Sequence, residues 1–153
     1  MIDIRRMTDR ARRVLALAES QATRLRAAAV GPEHLLLGLA EEGSGVAANV
    51  LRRAGAEFTQ LKSALEAVVP IGDGTPISPL SWSARAEQTI ARAHDETRPM
   101  NHNYVGTEHL LLAISLETDG LVPQLLSACA IRPEEIRRET YLLLGHLELA
   151  GVD

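Results

Sequence analysis

The sequence predicts an all-α fold of two tandem, pseudo-symmetric four-helix repeats forming one globular eight-helix domain. Three observations predict it. Residues 8–69 align with residues 83–144 in one register without a gap, and self-similarity at a fixed spacing marks a duplicated structural unit. Apolar residues recur at helical intervals, as in Val14, Leu15, Leu17, Ala18, Ala22 and Leu25, while sustained alternation of β-branched residues is missing. The punctuation also repeats. Thr8-Asp9-Arg10-Ala11 faces Ser83-Ala84-Arg85-Ala86, and Val30-Gly31-Pro32-Glu33-His34-Leu35-Leu36-Leu37 faces Val105-Gly106-Thr107-Glu108-His109-Leu110-Leu111-Leu112.

Taken in order, the first repeat (about 8–69) reads as helices over about 8–27, 32–42, 44–54 and 57–69, and the second (about 83–147) as helices over about 83–98, 107–117, 119–129 and 133–147. The first helix of each repeat opens at a hydroxyl, Thr8 or Ser83, whose side-chain oxygen can accept a free backbone N–H of the first turn. The second opens after Gly31 or Gly106. Pro32 suits the first helical position, and Val30 with Leu35, like Val105 with Leu110, has the spacing of a hydrophobic staple. Further matches, Gly45-Val46 with Gly120-Leu121, Leu51 with Leu126 and Leu61 with Ile136, carry the register through the remaining helices. Between the repeats lies a linker (about 70–82), in which Pro70, Pro76 and Pro79 with Gly72 and Gly74 break helix.

Composition narrows the function. At 153 residues the chain can bury a core without a disulfide or metal. Its single cysteine, Cys129, has no intramolecular partner and belongs to no CxxC pattern, which suits a reducing, cytoplasmic setting. No run approaches the roughly 18 apolar residues that span a bilayer, so no membrane is expected. A net charge of −4 argues against nucleic acid, which favours a basic face. Lys62 is the only lysine and has no neighbouring glycines, so there is no P-loop.

The residues that carry chemistry are the duplicated hydroxyl and carboxylate: Thr8 with Glu33, and Ser83 with Glu108. Read as helix construction, they are a cap and an acid that complements the helix dipole. Read functionally, they form an anion-and-cation pocket. Ala11 and Ala86 stand where a capping box would need Glu or Gln, which leaves the helix start open to a phosphate. Met7 and Trp82 occupy matching positions before the two caps, as staples or as peripheral ligand contacts. Arg5, Arg6, Arg10, Arg12 and Arg13 read as a solvated face or as a contact for an acidic partner. His34 and His109, with His102 and His94, lack metal-ligand spacing, and neither a metal nor a cofactor is expected. No GxSxG elbow occurs, and the chain is not expected to be an enzyme.

Residues 7–18 and 30–39, with Ser83 to Ala93 and residues 104–112, resemble the Clp repeat found at the N-terminus of Clp-type AAA+ unfoldases, with the Gly-Thr-Glu-His-Leu-Leu segment resembling the ClpC branch. The resemblance implies a double Clp N domain spanning residues 1–153 that docks protein substrates and adaptor proteins for an AAA+ unfoldase or Clp protease. It also implies a phosphoarginine site in each repeat, with phosphate near Thr8 and Ser83 and the guanidinium against Glu33 and Glu108. Carboxylate–guanidinium pairing and anion binding at a helix N-terminus agree with that division. The chain departs from the pattern at Met7, commonly aromatic, at Pro32, more usually Thr, and at Ser83 in place of Thr. Unequal sites are expected. Two settings fit the residues: a domain excised from a longer unfoldase, or a free-standing protein. A free-standing decoy for small molecules or cyclic peptides is the alternative within this fold, and a helical DNA-binding regulator the alternative outside it.

Overall fold

A computed structural model describes residues 2–73 and 79–151. Among the described residues eight helices run in chain order: α1 (Asp9–Arg24), α2 (Pro32–Glu42), α3 (Val46–Arg53), α4 (Phe58–Val68), α5 (Ala84–Asp95), α6 (Thr107–Ile114), α7 (Leu121–Ala128) and α8 (Pro133–Leu143). The first four form one repeat and the last four the other. Part of the expected linker, residues 74–78, lies outside the described residues.

Helices α2 and α6 sit at the centre because their sequences are apolar on almost every side. Leu35, Leu36, Leu37 and Leu39 are fully buried, as are Leu110, Leu111, Leu112 and Ile114, which is the pattern of a helix enclosed all round. The amphipathic α1 and α5 pack outside them, α1 on α2 and α5 on α6. Gly38 lets α1 approach closely, since a Cβ there would lie 2.6 Å from the Val14 carbonyl oxygen. The repeats then share their interior. Helix α2 packs on α6 and α7, α3 on α6 and α8, and α4 on α7, so one apolar cluster runs from Met7 to Ile136.

Several helices are shorter than their apolar periodicity suggests. Helix α1 ends at Arg24 rather than near residue 27 because Arg26 turns left-handed (φ 54°) and the Ala27 N–H reaches back to the Ala22 carbonyl at 3.0 Å. Asn101 (φ 55°) performs the same turn in the second repeat, with the His102 N–H on the Thr97 carbonyl. Such a closure satisfies carbonyls at a helix end. Helix α8 likewise stops at Leu143, and Gly145 (φ 82°) turns the chain.

Two isolated parallel bridges join the repeats, Met7 with Val105 and Val30 with Trp82. In the first, the Thr8 N–H donates to the Val105 carbonyl at 3.0 Å and the Val105 N–H to Arg6 at 2.8 Å. In the second, the Ser83 N–H donates to Val30 and the Val30 N–H to Ser81, both at 2.9 Å. These four bonds are related by the internal pseudo-symmetry, and they fix which helix start meets which.

Candidate functional site

Each hydroxyl cap is built as its sequence requires. Thr8 and Ser83 hold extended backbone, and their side-chain oxygens accept the Ala11 and Ala86 N–H at 3.1 Å. Each hydroxyl has therefore used an acceptor site, and its O–H remains to donate. The carboxylates arise from a second local device. At Gly31 and Gly106 a Cβ would run into Oε1 of Glu33 and Glu108 respectively, so glycine is what allows each carboxylate to fold back over its own helix start.

The pairing differs from the one read in the sequence. Thr8 was expected with Glu33 and Ser83 with Glu108, but the fold brings them together across the repeats. Thr8 lines one cavity with Glu108, about 280 Å³ in volume, and Ser83 lines another with Glu33, about 450 Å³ in volume. The cause is the pair of bridges. Val105 lies beside Met7 and Val30 beside Trp82, so the α6 start comes to α1 and the α2 start to α5. Each pocket joins a cap hydroxyl to a carboxylate from the other half of the chain.

An arginine completes each site. Arg10 lines the cavity of Thr8 and Glu108, and Arg85 that of Ser83 and Glu33. Arg10 Nε donates to Ser44 Oγ at 3.1 Å and stands 4.0 Å from Glu42. Arg85, its repeat counterpart, pairs with Asp119 and lies 3.4 Å from Glu117. The two deep carboxylates are equivalent, with side chains 3% and 4% exposed. Burial pushes the Glu42 carboxyl up, but hydrogen bonds from Ser44 and Gly45 and the charge of Arg10 outweigh it, and the net shift is downward. The sites diverge at the next position. Ser44 is neutral where Asp119 carries a charge, so Arg85 faces one more anion than Arg10 does.

The histidines that follow the carboxylates are structural. His34 Nδ1 accepts the Gly31 N–H and His109 Nδ1 the Gly106 N–H, both at 2.9 Å, in the role that Glu or Gln plays in a capping box. Burial pushes both imidazoles below their usual range, His109 to about 4 with the neighbouring His102 adding to the effect. Since Nδ1 of His109 accepts, its proton sits on Nε2 and is donated to His102 Nδ1, 2.9 Å away. His102 stacks on Tyr104 at 4.7 Å between centroids, and the Tyr104 hydroxyl stands 3.5 Å from Glu108 Oε2. Among the described residues there is no group of three or more His, Cys, Asp or Glu side chains placed to hold a metal ion.

Met7 is buried within the core and Trp82 is half-buried against it, its Nε1 donating to Glu19 at 3.2 Å. Neither lines the two cavities. Arg10 and Arg85 are residues that sequence reasoning missed, the former being read as part of a solvated run. The available signal was their identical place two residues after each cap. Tyr104 carried no such signal, because its counterpart is Ala29.

This architecture, eight helices among the described residues in two interlocked repeats, places the chain in a defined class. The family model described as the Clp repeat (R) N-terminal domain matches residues 6–80 and 81–151, and the chain belongs to that family. It is 36% identical over 143 residues to the chaperone protein ClpB of Oceanobacillus iheyensis, and 38% identical over 144 residues to the negative regulator of genetic competence ClpC/MecB of Bacillus subtilis. Each alignment covers 94% of this chain but 18% of the relative's length. The N-terminal domain of the chaperone ClpD from Arabidopsis thaliana superposes with a TM-score of 0.76 at 19% identity, covering 93% of this chain and 99% of that one. The Hsp104 N-terminal domain from Candida albicans does so with 0.74 at 19%, covering 92% of each. At that identity the solved structures show a shared fold.

Proposed function

We propose that this chain is a non-catalytic docking module for Clp-type ATP-dependent proteolysis, which captures protein substrates and adaptors by binding arginine-phosphorylated segments at its two cross-repeat sites. The observation that carries the reading is the duplicated set: Thr8, Arg10 and Glu108 on one cavity, Ser83, Arg85 and Glu33 on the other. A phosphoarginine side chain is an anion joined directly to a guanidinium. The cap O–H and the arginine suit its phosphoryl oxygens, and the folded-back carboxylate suits its remaining N–H donors in a charge-assisted pair. Each element of the ligand has a complementary group, and the family membership supports the same role.

Calorimetry with free phosphoarginine tests it. Wild type is expected to bind at two unequal sites, Glu33→Ala and Glu108→Ala each at one, and the double variant at neither. A wild type that gives no binding heat with phosphoarginine, while remaining folded, overturns the assignment.

A further inference from the structure

The cavities continue differently beyond their polar ends. At Ser83 and Glu33 the space opens into an apolar trough walled by Val69 and by Ala27, Ala28 and Ala29, with the buried Leu25 and Leu65 forming its floor. The Gly72 N–H holds the departing chain to the Leu25 carbonyl at 3.0 Å, so the trough has a fixed wall. In the other site the same three positions are His102, Asn103 and Tyr104. There the His102–Tyr104 stack and the 3.5 Å approach of Tyr104 to Glu108 occupy that side, and the rest of the cavity is lined by Ser44, Val46 and Asn49 in place of the alanines and Val69.

We propose that the Ser83–Glu33 site reads two neighbouring side chains of a bound segment: an arginine-type cation held by Glu33, and a large apolar residue beside it in the Ala27–Ala29 trough. The Thr8–Glu108 site reads the arginine alone. This inference rests on the proposed function for its polar half and adds the sequence preference. The occupant is fixed by complementarity. A carboxylate at one end demands a cation, while the wall of leucine, valine and alanine gains from displacing water only with an apolar side chain. Arg26 at the rim and Arg85 at the polar end disfavour a second basic residue.

Two peptides carrying one phosphoarginine, flanked on both sides by leucine or on both sides by serine, separate the possibilities. In Glu108→Ala, which leaves the trough site, the leucine peptide is expected to bind roughly tenfold tighter by calorimetry, the scale set by burying one aliphatic side chain. In Glu33→Ala the two peptides should bind alike. Adding Ala29→Tyr to Glu108→Ala, with folding checked by circular dichroism, installs the ring found in the other repeat and should remove the preference. Equal affinities in Glu108→Ala, or the same leucine preference in both single variants, would overturn the proposal while leaving phosphoarginine binding intact. Failure of free phosphoarginine to bind wild type would instead remove the underlying reading and this one with it.

Discussion

At the scale of single residues, the two sites are near copies whose differences lie in a few side chains. Asp119 stands where the other repeat has Ser44, and it pairs with Arg85, which draws that guanidinium's field away from the cavity. Asp119→Ser, placed in the Glu108→Ala background so that one site reports, is expected to raise phosphoarginine affinity about two- to fivefold, the size of a partly exposed charge effect. Calorimetry giving an unchanged or weaker affinity would refute this. His109 makes a second prediction at this scale. Its folded pKa of about 4 lies below the ordinary 6.5, with burial as the leading cause. The unfolded chain therefore takes up the proton first as pH falls. The stabilising contribution is complete above about pH 6.5 and declines between 6.5 and 4, by roughly 3 kcal/mol. Urea unfolding midpoints across that interval should fall for wild type, and fall less for His109→Gln, whose amide oxygen can keep the Gly106 N–H bond.

At the scale of elements, the helix ends carry more information than the helix bodies. Gly55 (φ 93°) closes α3, with the Ala56 N–H on the Leu51 carbonyl at 2.8 Å, while its counterpart Ala130 (φ 57°) closes α7 with the Ile131 N–H on Leu126 at 2.9 Å. One geometry is served by glycine in the first repeat and by alanine in the second, and a Cβ in the left-handed region costs about 1 kcal/mol. Ala130→Gly is accordingly expected to stabilise the protein by up to about 1 kcal/mol. Thermal and urea unfolding read the change directly, and a destabilised variant would show that the strain is not there. The same logic explains why apolar periodicity overran the first helix at residues 25–27. Leu25 is buried like a helical residue, yet the next residue, Arg26, turns left-handed, and burial pattern alone does not report φ.

At the scale of the whole molecule, the repeats are interlocked rather than strung together. Helix α2 touches α6 and α7 in the other half, α3 touches α6 and α8, and the two bridges exchange hydrogen bonds between them. Separating the halves would expose apolar surface that no linker can cover, and a unit of this size has little stability to spare. A polypeptide ending at residue 73 is thus expected to lack a cooperative unfolding transition and sharp amide dispersion in NMR spectra. A cooperatively folded first half would contradict the interlocked core. Binding should fail with it, since neither cavity can be assembled from one repeat.

The sequence by itself determined the helical class, the duplication and the local devices: the Thr8 and Ser83 caps and the Gly-x-Glu starts. All of these rest on interactions spanning a few residues, which spacing records. Only the tertiary structure decided that Thr8 shares a cavity with Glu108 and Ser83 with Glu33, that Arg10 and Arg85 line those cavities, and that Met7 turns into the core. These depend on the Met7–Val105 and Val30–Trp82 bridges, contacts between residues far apart in the chain. Two equal repeats read in line suggest pairing within each, whereas packing two half-buried units against each other crosses them.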